Sequence, residues 1–232
     1  MKKILPLKGP SFVEVKNYIE KYNDEYIVIK CGGSVLVDNK LFDIFIKDIS
    51  VLNKLGFIPI IVHGGGKRIS NKLNELGIKS NFIKGLRVTE KETIQVVEQV
   101  LIEFNSEIIE ALKEQQCTSQ TINSRENNIM TVVQENTELG FVGTPTEINK
   151  SIIDKIVDEK KVPVIAPLGL DENNQAYNIN ADTAAGSIAK KIEARRLIIM
   201  SDVEGVIDSN KKLIPEINSQ PIKDLINDEV VT

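Results

Sequence analysis

The chain has 232 residues, 41% hydrophobic and 27% charged, enough for one substantial core or two lobes sharing a sheet; its net charge of −4 lacks the basic excess of a nucleic-acid binder. Cys31 and Cys117 are too few and too far apart for a disulfide scaffold or a zinc motif, and the single histidine, His63, excludes most histidine-based metal sites. The opening MKKILPLKG carries charge without the apolar centre of a signal peptide, and no apolar run reaches bilayer-spanning length, so a cytoplasmic, reduced, soluble protein with no membrane partner is expected.

Residues 11–26, SFVEVKNYIEKYNDEY, read as an amphipathic helix with Phe12, Val15, Ile19 and Tyr22 on one face. YIVIKC (26–31) reads as a buried strand ending in Gly32, Gly33 and Ser34. Apolar residues at helical spacing predict a helix over 40–56, stopped at Gly56, and FIPIIV (57–62) completes a βαβ unit. A long amphipathic helix spans 90–115. Between 117 and 147, TSQTIN, IMTVVQ and FVGTPTEI predict a hairpin-bearing insertion or lid. Helix 150–161, strand 162–167, helix 181–194 and a further buried strand, RLIIMSD (196–202), follow. Such alternation predicts an α/β fold, a mainly parallel open sheet flanked by helices on both faces, with a β-hairpin lid.

Two glycine clusters, CGGS (31–34) and HGGG (63–66), follow the carboxyl ends of predicted strands, the edge where open α/β sheets bind ligands. Glycine-rich turns into helices gather N–H groups at one point and form anion cradles, although one cluster alone is explained by a tight turn. Two at the same edge favour phosphate. Yet Gly66-Lys67 is followed by Arg68, with Ile61 five residues earlier, which breaks the P-loop pattern; Ile69 breaks the dinucleotide fingerprint.

IVIKCGGS, IVHGGGKRIS, GLRVTEKET (85–93) and YNINADTAAGSIAKKIEARRLIIMSDVEGVID (177–208), in that order, resemble the amino acid kinase family, the third stretch its acetylglutamate-phosphorylating branch. The resemblance runs from about residue 14 to the end. It implies ATP-dependent phosphorylation of the side-chain carboxylate of N-acetyl-L-glutamate, in arginine biosynthesis. It also implies an oligomerisation helix over 1–25, a substrate lobe over 26–170 and the start of a nucleotide lobe over 171–232.

Within the resemblance, Lys30 would set an ammonium against the transferring phosphoryl, and Asp182 would orient the active-site lysines; a helix cap or first-turn carboxylate is its simpler role. Gly65 and Gly66 would offer backbone N–H groups where phosphoryl and carboxylate meet. Arg87 would clamp a substrate carboxylate with two oxygens at once, and Asn178 would bind the substrate's acyl-amino and carboxylate end. Gly32, Gly33, Ser201, Asp202 and Gly205 would line the nucleotide side, with Mg²⁺ bridging the phosphates. No protein metal site is expected. A carboxylate nucleophile needs no base, so His63 is expected to fix the glycine loop by a hydrogen bond, Cys31 to fill a strand position, and Lys67 and Arg68 to be solvated helix residues.

The family's second lysine, in a Gly-Met-x-x-Lys segment, has no counterpart in these residues, and the chain is expected to lack the C-terminal part of its nucleotide lobe. The N-terminal helix resembles one that joins dimers into hexameric rings in arginine-inhibited members, which implies a homo-oligomer, dimer or hexamer, with L-arginine as feedback inhibitor. Alternatives are another family kinase, such as an aminoadipate-type enzyme, or an inactive acetylglutamate or arginine sensor.

Overall fold

The computed structural model describes residues 9–208, 210, 212–218 and 220. Helix α1 (Phe12–Tyr22) opens with a reciprocal cap: Glu14 N–H donates to Ser11 Oγ, and Ser11 N–H donates to Glu14 Oε2 at 2.8 Å. Val15 and Tyr22 of its expected apolar face are buried, whereas Phe12 is exposed. Strand β1 (Tyr26–Cys31), a short 3₁₀ turn (Gly33–Leu36), helix α2 (Asn39–Lys54) and strand β2 (Ile58–His63) form the expected βαβ unit. Asp38 caps α2, and Gly56 follows it at φ +91°, where only glycine is unstrained.

Helix α3 (Gly66–Glu75), the short strands β3 (Phe82–Ile83) and β4 (Leu86–Arg87) and the long α4 (Lys91–Glu114) come next. Strands β5 (Ser119–Ile122), β6 (Met130–Gln134) and β7 (Gly143–Ile148) lead to α5 (Lys150–Asp158). Strands β8 (Val162–Ile165), β9 (Leu168–Leu170) and β10 (Ala176–Asn178), helix α6 (Ala181–Lys191) and β11 (Arg196–Ile199) complete the series.

The main sheet is fully parallel, in the order β11-β1-β2-β8-β5. Because side chains alternate across a strand, Val28, Ile60 and Val62 pack one face against Ile153, Ile156 and Ile188 of α5 and α6. Ile27, Ile29 and Ile61 pack the other against Phe45, Ile49, Phe104 and Ile108 of α2 and α4. A second sheet, β10-β9-β6-β7, contains the β6–β7 hairpin.

Two expectations change. TSQTIN does not belong with the hairpin: Ser119–Ile122 pairs in parallel with β8 as an edge strand of the main sheet, an alternation too short to distinguish the two roles. The last strand is not buried, because β11 pairs only with β1 among the described residues, and Leu197, Ile198 and Ile199 are exposed.

The described residues from Ser201 onward belong to a compact unit of their own. In it, Ile207 and Leu213 make an antiparallel bridge, Ser201 Oγ accepts from the Val203 N–H, and Gly205 at φ +147° leaves room for Leu213. The ending Val230-Val231-Thr232 lies outside the described residues.

Candidate active site

Lys30 is the penultimate residue of β1, register-paired with Val62 of β2 and Ile199 of β11. Period two puts its side chain on the face of Val28, beneath α6. Helix α6 can approach closely because Ala184 and Ala185, fully buried, face the sheet. Its first turn therefore brings Asp182 Oδ1 to 3.0 Å from Lys30 Nζ; the lysine side chain is 12% exposed and the carboxylate 51%. Asp182 is not the cap. Asn180 Oδ1 takes the Asp182 and Thr183 N–H groups, which leaves the Asp182 carboxylate for Lys30.

The glycines separate into different tasks. A Cβ on Gly32 would stand 2.6 Å from Lys30 Nζ, so Gly32 makes the space the ammonium occupies. A Cβ on Gly65 would stand 2.6 Å from Leu101 Cδ2, so this glycine lets α3 start against α4. A Cβ on Gly66 would meet nothing within 4 Å, and this position does open into the cleft. Gly33, at φ +62°, also lines it.

Arg87, buried at the end of β4, is held in place on several sides. Its Nη2 donates to Gly66 O and to Ser70 Oγ, each at 2.9 Å, and Nη1 donates to Ser80 Oγ. The Phe82 ring lies 4.7 Å from the guanidinium carbon. Burial lowers the arginine's pKa from its ordinary value, but the guanidinium remains a cation at neutral pH. Arg87 thus belongs to a two-stranded ribbon, β3–β4, whose two-residue strands leave no period to detect in the sequence.

Thr89 also escaped the sequence reading. Fully buried, it donates from Oγ1 to Arg87 O at 3.0 Å and accepts from Asn178 Nδ2 at 3.3 Å, so it links the arginine's strand to Asn178. No local signal marks it, since its partners come together only in the fold.

Lys30, Gly32, Gly33, Gly65, Gly66, Arg87, Asn178 and Asp182 all line one cleft of about 210 Å³ at the carboxyl end of the main sheet. Next to it, a wider recess of about 530 Å³ shares Gly33, Gly65, Gly66 and Arg87 and adds Lys67, Arg68 and Ser70. Ser201, Asp202 and Gly205 lie in the separate C-terminal unit. Arg68 is more than a solvated charge: it pairs with Glu107 at 2.8 Å and lies 4.0 Å over the Phe104 ring. His63 is fully buried, and burial lowers its pKa to about 4; burial raises the Cys31 thiol to about 12, making it inert. Among the described residues no group of three or more His, Cys, Asp or Glu side chains could hold a metal ion.

The family described as "Amino acid kinase family" matches residues 25–232. An acetylglutamate kinase of Pelagibacter ubique (strain HTCC1062) is 67% identical over 229 residues, covering 99% of this chain and 80% of that protein. Another, of Campylobacter fetus subsp. fetus (strain 82-40), is 40% identical over 217 residues, covering 93% and 78%. Among solved structures, smu.665 from Streptococcus mutans UA159 superposes with a TM-score of 0.80 at 29% identity, covering 89% of this chain and 84% of that one. An N-acetylglutamate synthase from Neisseria gonorrhoeae, complexed with coenzyme A and N-acetyl-glutamate, gives a TM-score of 0.81 at 20% identity, covering 94% and 52%; at that identity the likeness is one of fold.

Proposed function

From the premise that this chain belongs to the amino acid kinase family, we propose that it transfers the γ-phosphoryl group of ATP to the side-chain carboxylate of N-acetyl-L-glutamate. The products are N-acetyl-L-glutamyl 5-phosphate and ADP, and the step serves arginine biosynthesis. The observation that carries the reading is the cleft itself. A lysine–aspartate pair, a buried arginine and a glycine-rich helix start line one small space, and two identified relatives carry this activity in their names.

In the transfer, a carboxylate oxygen bonds to the γ-phosphorus as the bond to the β–γ bridging oxygen breaks, and the electron pair leaves with ADP. No proton has to move, because the nucleophile is already ionised at neutral pH. The protein's work is positioning and charge neutralisation. Lys30 faces the transferring oxygens and Asp182 holds its ammonium. The Gly65 and Gly66 N–H groups meet the developing charge, Arg87 clamps a substrate carboxylate, and Asn178 takes the acyl-amino end. Gly32 and Gly33 serve the nucleotide side, and Ser201, Asp202 and Gly205 carry that role within their own unit. Mg²⁺ enters with the substrate as MgATP, bound by the phosphates.

We extend the proposal to location and assembly. The reaction is cytoplasmic, where ATP is available and the free thiols of Cys31 and Cys117 stay reduced; among the described residues no helix is long and apolar enough to cross a membrane. Helix α1 joins copies of the chain into a homo-oligomer, and L-arginine acts as feedback inhibitor. Supporting the assembly, Phe12, Val13 and Tyr18 of α1 are exposed, and Tyr18 lines an apolar groove of about 630 Å³. Light scattering with and without residues 1–24 tests it: an unchanged mass refutes assembly through α1.

The deciding assay measures ADP release by this chain with N-acetyl-L-glutamate beside glutamate, N-acetylaspartate and aminoadipate. Turnover with N-acetyl-L-glutamate, lost in Lys30→Ala, is expected. Binding of acetylglutamate without turnover would overturn the enzyme reading in favour of a sensor.

A further inference from the structure

We propose that Asn105 is a positioning residue for this site: by donating to His63 Nε2 it fixes the ring as the Nδ1–H tautomer, which grips the Gly64 carbonyl and aims the Gly65 N–H into the cleft. The inference rests on the kinase reading for its purpose, but its geometry stands apart from it.

Asn105 is completely buried in α4, and its Nδ2 lies 3.0 Å from Val164 O and 3.1 Å from His63 Nε2. A carbonyl only accepts, so the amide nitrogen must face Val164, and its second hydrogen is then directed at Nε2. The other amide atom, Oδ1, accepts from Thr121 Oγ1. With Nε2 accepting, the ring proton belongs on Nδ1, which is 3.0 Å from Gly64 O, again a group that only accepts. Both ends of the ring therefore require the same tautomer.

The chain of bonds reaches further. Thr121 Oγ1 accepts from Asn123 Nδ2 at 3.1 Å, and Asn123 Oδ1 takes the N–H groups of Arg125 and Glu126. A polar line thus runs from the β5–β6 turn, under the sheet, to the glycine loop. Phe104 meets His63 edge-on at 5.2 Å, and Arg68 lies over that same phenyl ring, a like charge that disfavours a cationic imidazole.

The consequence for the loop follows from peptide geometry. No peptide bond among the described residues is cis, and a trans peptide points its C=O and N–H in opposite directions. Since Gly64 O turns to buried His63, the Gly65 N–H of the same peptide turns away from it, toward the side that the cleft occupies. Gly64 is held on its other flank as well, its own N–H donating to Cys31 O at 2.7 Å. An apolar side chain in place of Asn105 would fill the same core, but it would leave Nε2 without its donor and the ring held at the Gly64 end alone, so the loop would be less firmly fixed.

A single histidine makes the test direct. In ¹⁵N-labelled protein, the imidazole resonances are expected to show protonated Nδ1 and bare Nε2, unchanged from about pH 8 to about pH 5.5. Titration with N-acetyl-L-glutamate and MgATP is expected to shift the Gly65 amide. In Asn105→Leu the bare Nε2 loses its donor, so its ¹⁵N resonance is expected to move downfield, the Gly65 shift to shrink, and kcat to fall at least about 10-fold, more than the affinity for either substrate. Thr121→Val, which frees the amide without emptying the core, is expected to do the same more weakly and replaces Asn105→Leu should that variant not fold. A wild-type ring protonated on Nε2, or cationic at pH 7, overturns the proposal, as does a variant whose Nε2 resonance shows the lost hydrogen bond with undiminished kcat and Gly65 response. A wild-type Gly65 amide indifferent to both substrates, with the Nδ1–H tautomer intact, counts against the kinase reading instead.

Discussion

Lys30 Nζ and Asp182 Oδ1 are 3.0 Å apart, the ammonium nearly enclosed and the carboxylate half open to solvent. An ion pair with one partner this exposed contributes little to stability, about 1 kcal/mol or less. Its value lies in holding the ammonium at one place above the sheet. Asp182→Asn is therefore expected to leave the melting temperature within a few degrees of wild type while lowering kcat by about 100-fold or more. Thermal melts run beside steady-state kinetics check both halves; a large loss of stability would make the pair structural.

The three glycine positions are expected to respond differently to alanine. Gly32→Ala pushes a methyl group into the space of Lys30 Nζ, so the flexible lysine moves: stability holds and kcat falls by about 10-fold or more. Gly65→Ala drives into Leu101 and should cost roughly 1–3 kcal/mol in urea unfolding. Gly66→Ala meets no protein atom, so the fold should be untouched and substrate binding should weaken. Equal destabilisation in all three would contradict the assignment.

Arg87→Lys retains the charge but loses the fork that reaches Gly66 O, Ser70 and Ser80 together. We expect KM for N-acetyl-L-glutamate to rise by about 10- to 100-fold, with KM for ATP little changed. Calorimetric titration of each substrate separately checks this, and an equal loss for both would place Arg87 outside the acyl-substrate subsite.

His63 makes folding stability depend on pH. Its folded pKa, about 4, lies below the unfolded value near 6.5, so between those limits the unfolded chain binds more protons. The stabilisation is complete above about pH 6.5 and is lost as pH falls toward 4, by roughly 3 kcal/mol in total. Urea unfolding of wild type and His63→Gln at several pH values isolates this contribution from the carboxylates. The difference between the two slopes should be confined to that window and have that sign.

Much of the site was legible because its signals are local. The strand ending in Lys30 is an apolar run broken by glycines, the Arg87 and Asn178 motifs are contiguous, and the helix after Asn180 declares itself by its alanines. Short elements were not legible: β3 and β4 have two residues each, and β5 could not be told from its hairpin neighbours until it paired with β8. Burial of β11 was misjudged because apolar composition does not say whether a strand has a neighbour on both sides.

By itself the sequence determined the alternation of strands and helices, the sheet edge where the candidate cleft lies and the residue types gathered there, since periodicity, capping and glycine turns are properties of neighbouring residues. Only the tertiary structure decided which of those residues meet and what space each one leaves. It set Asp182 on Lys30, made Gly32 the space for an ammonium and Gly65 a helix contact, and brought Asn105 to a histidine 42 residues away. The physical reason is that a hydrogen bond or a close packing contact is decided within an ångström or so, and that closeness arises only when separate elements pack.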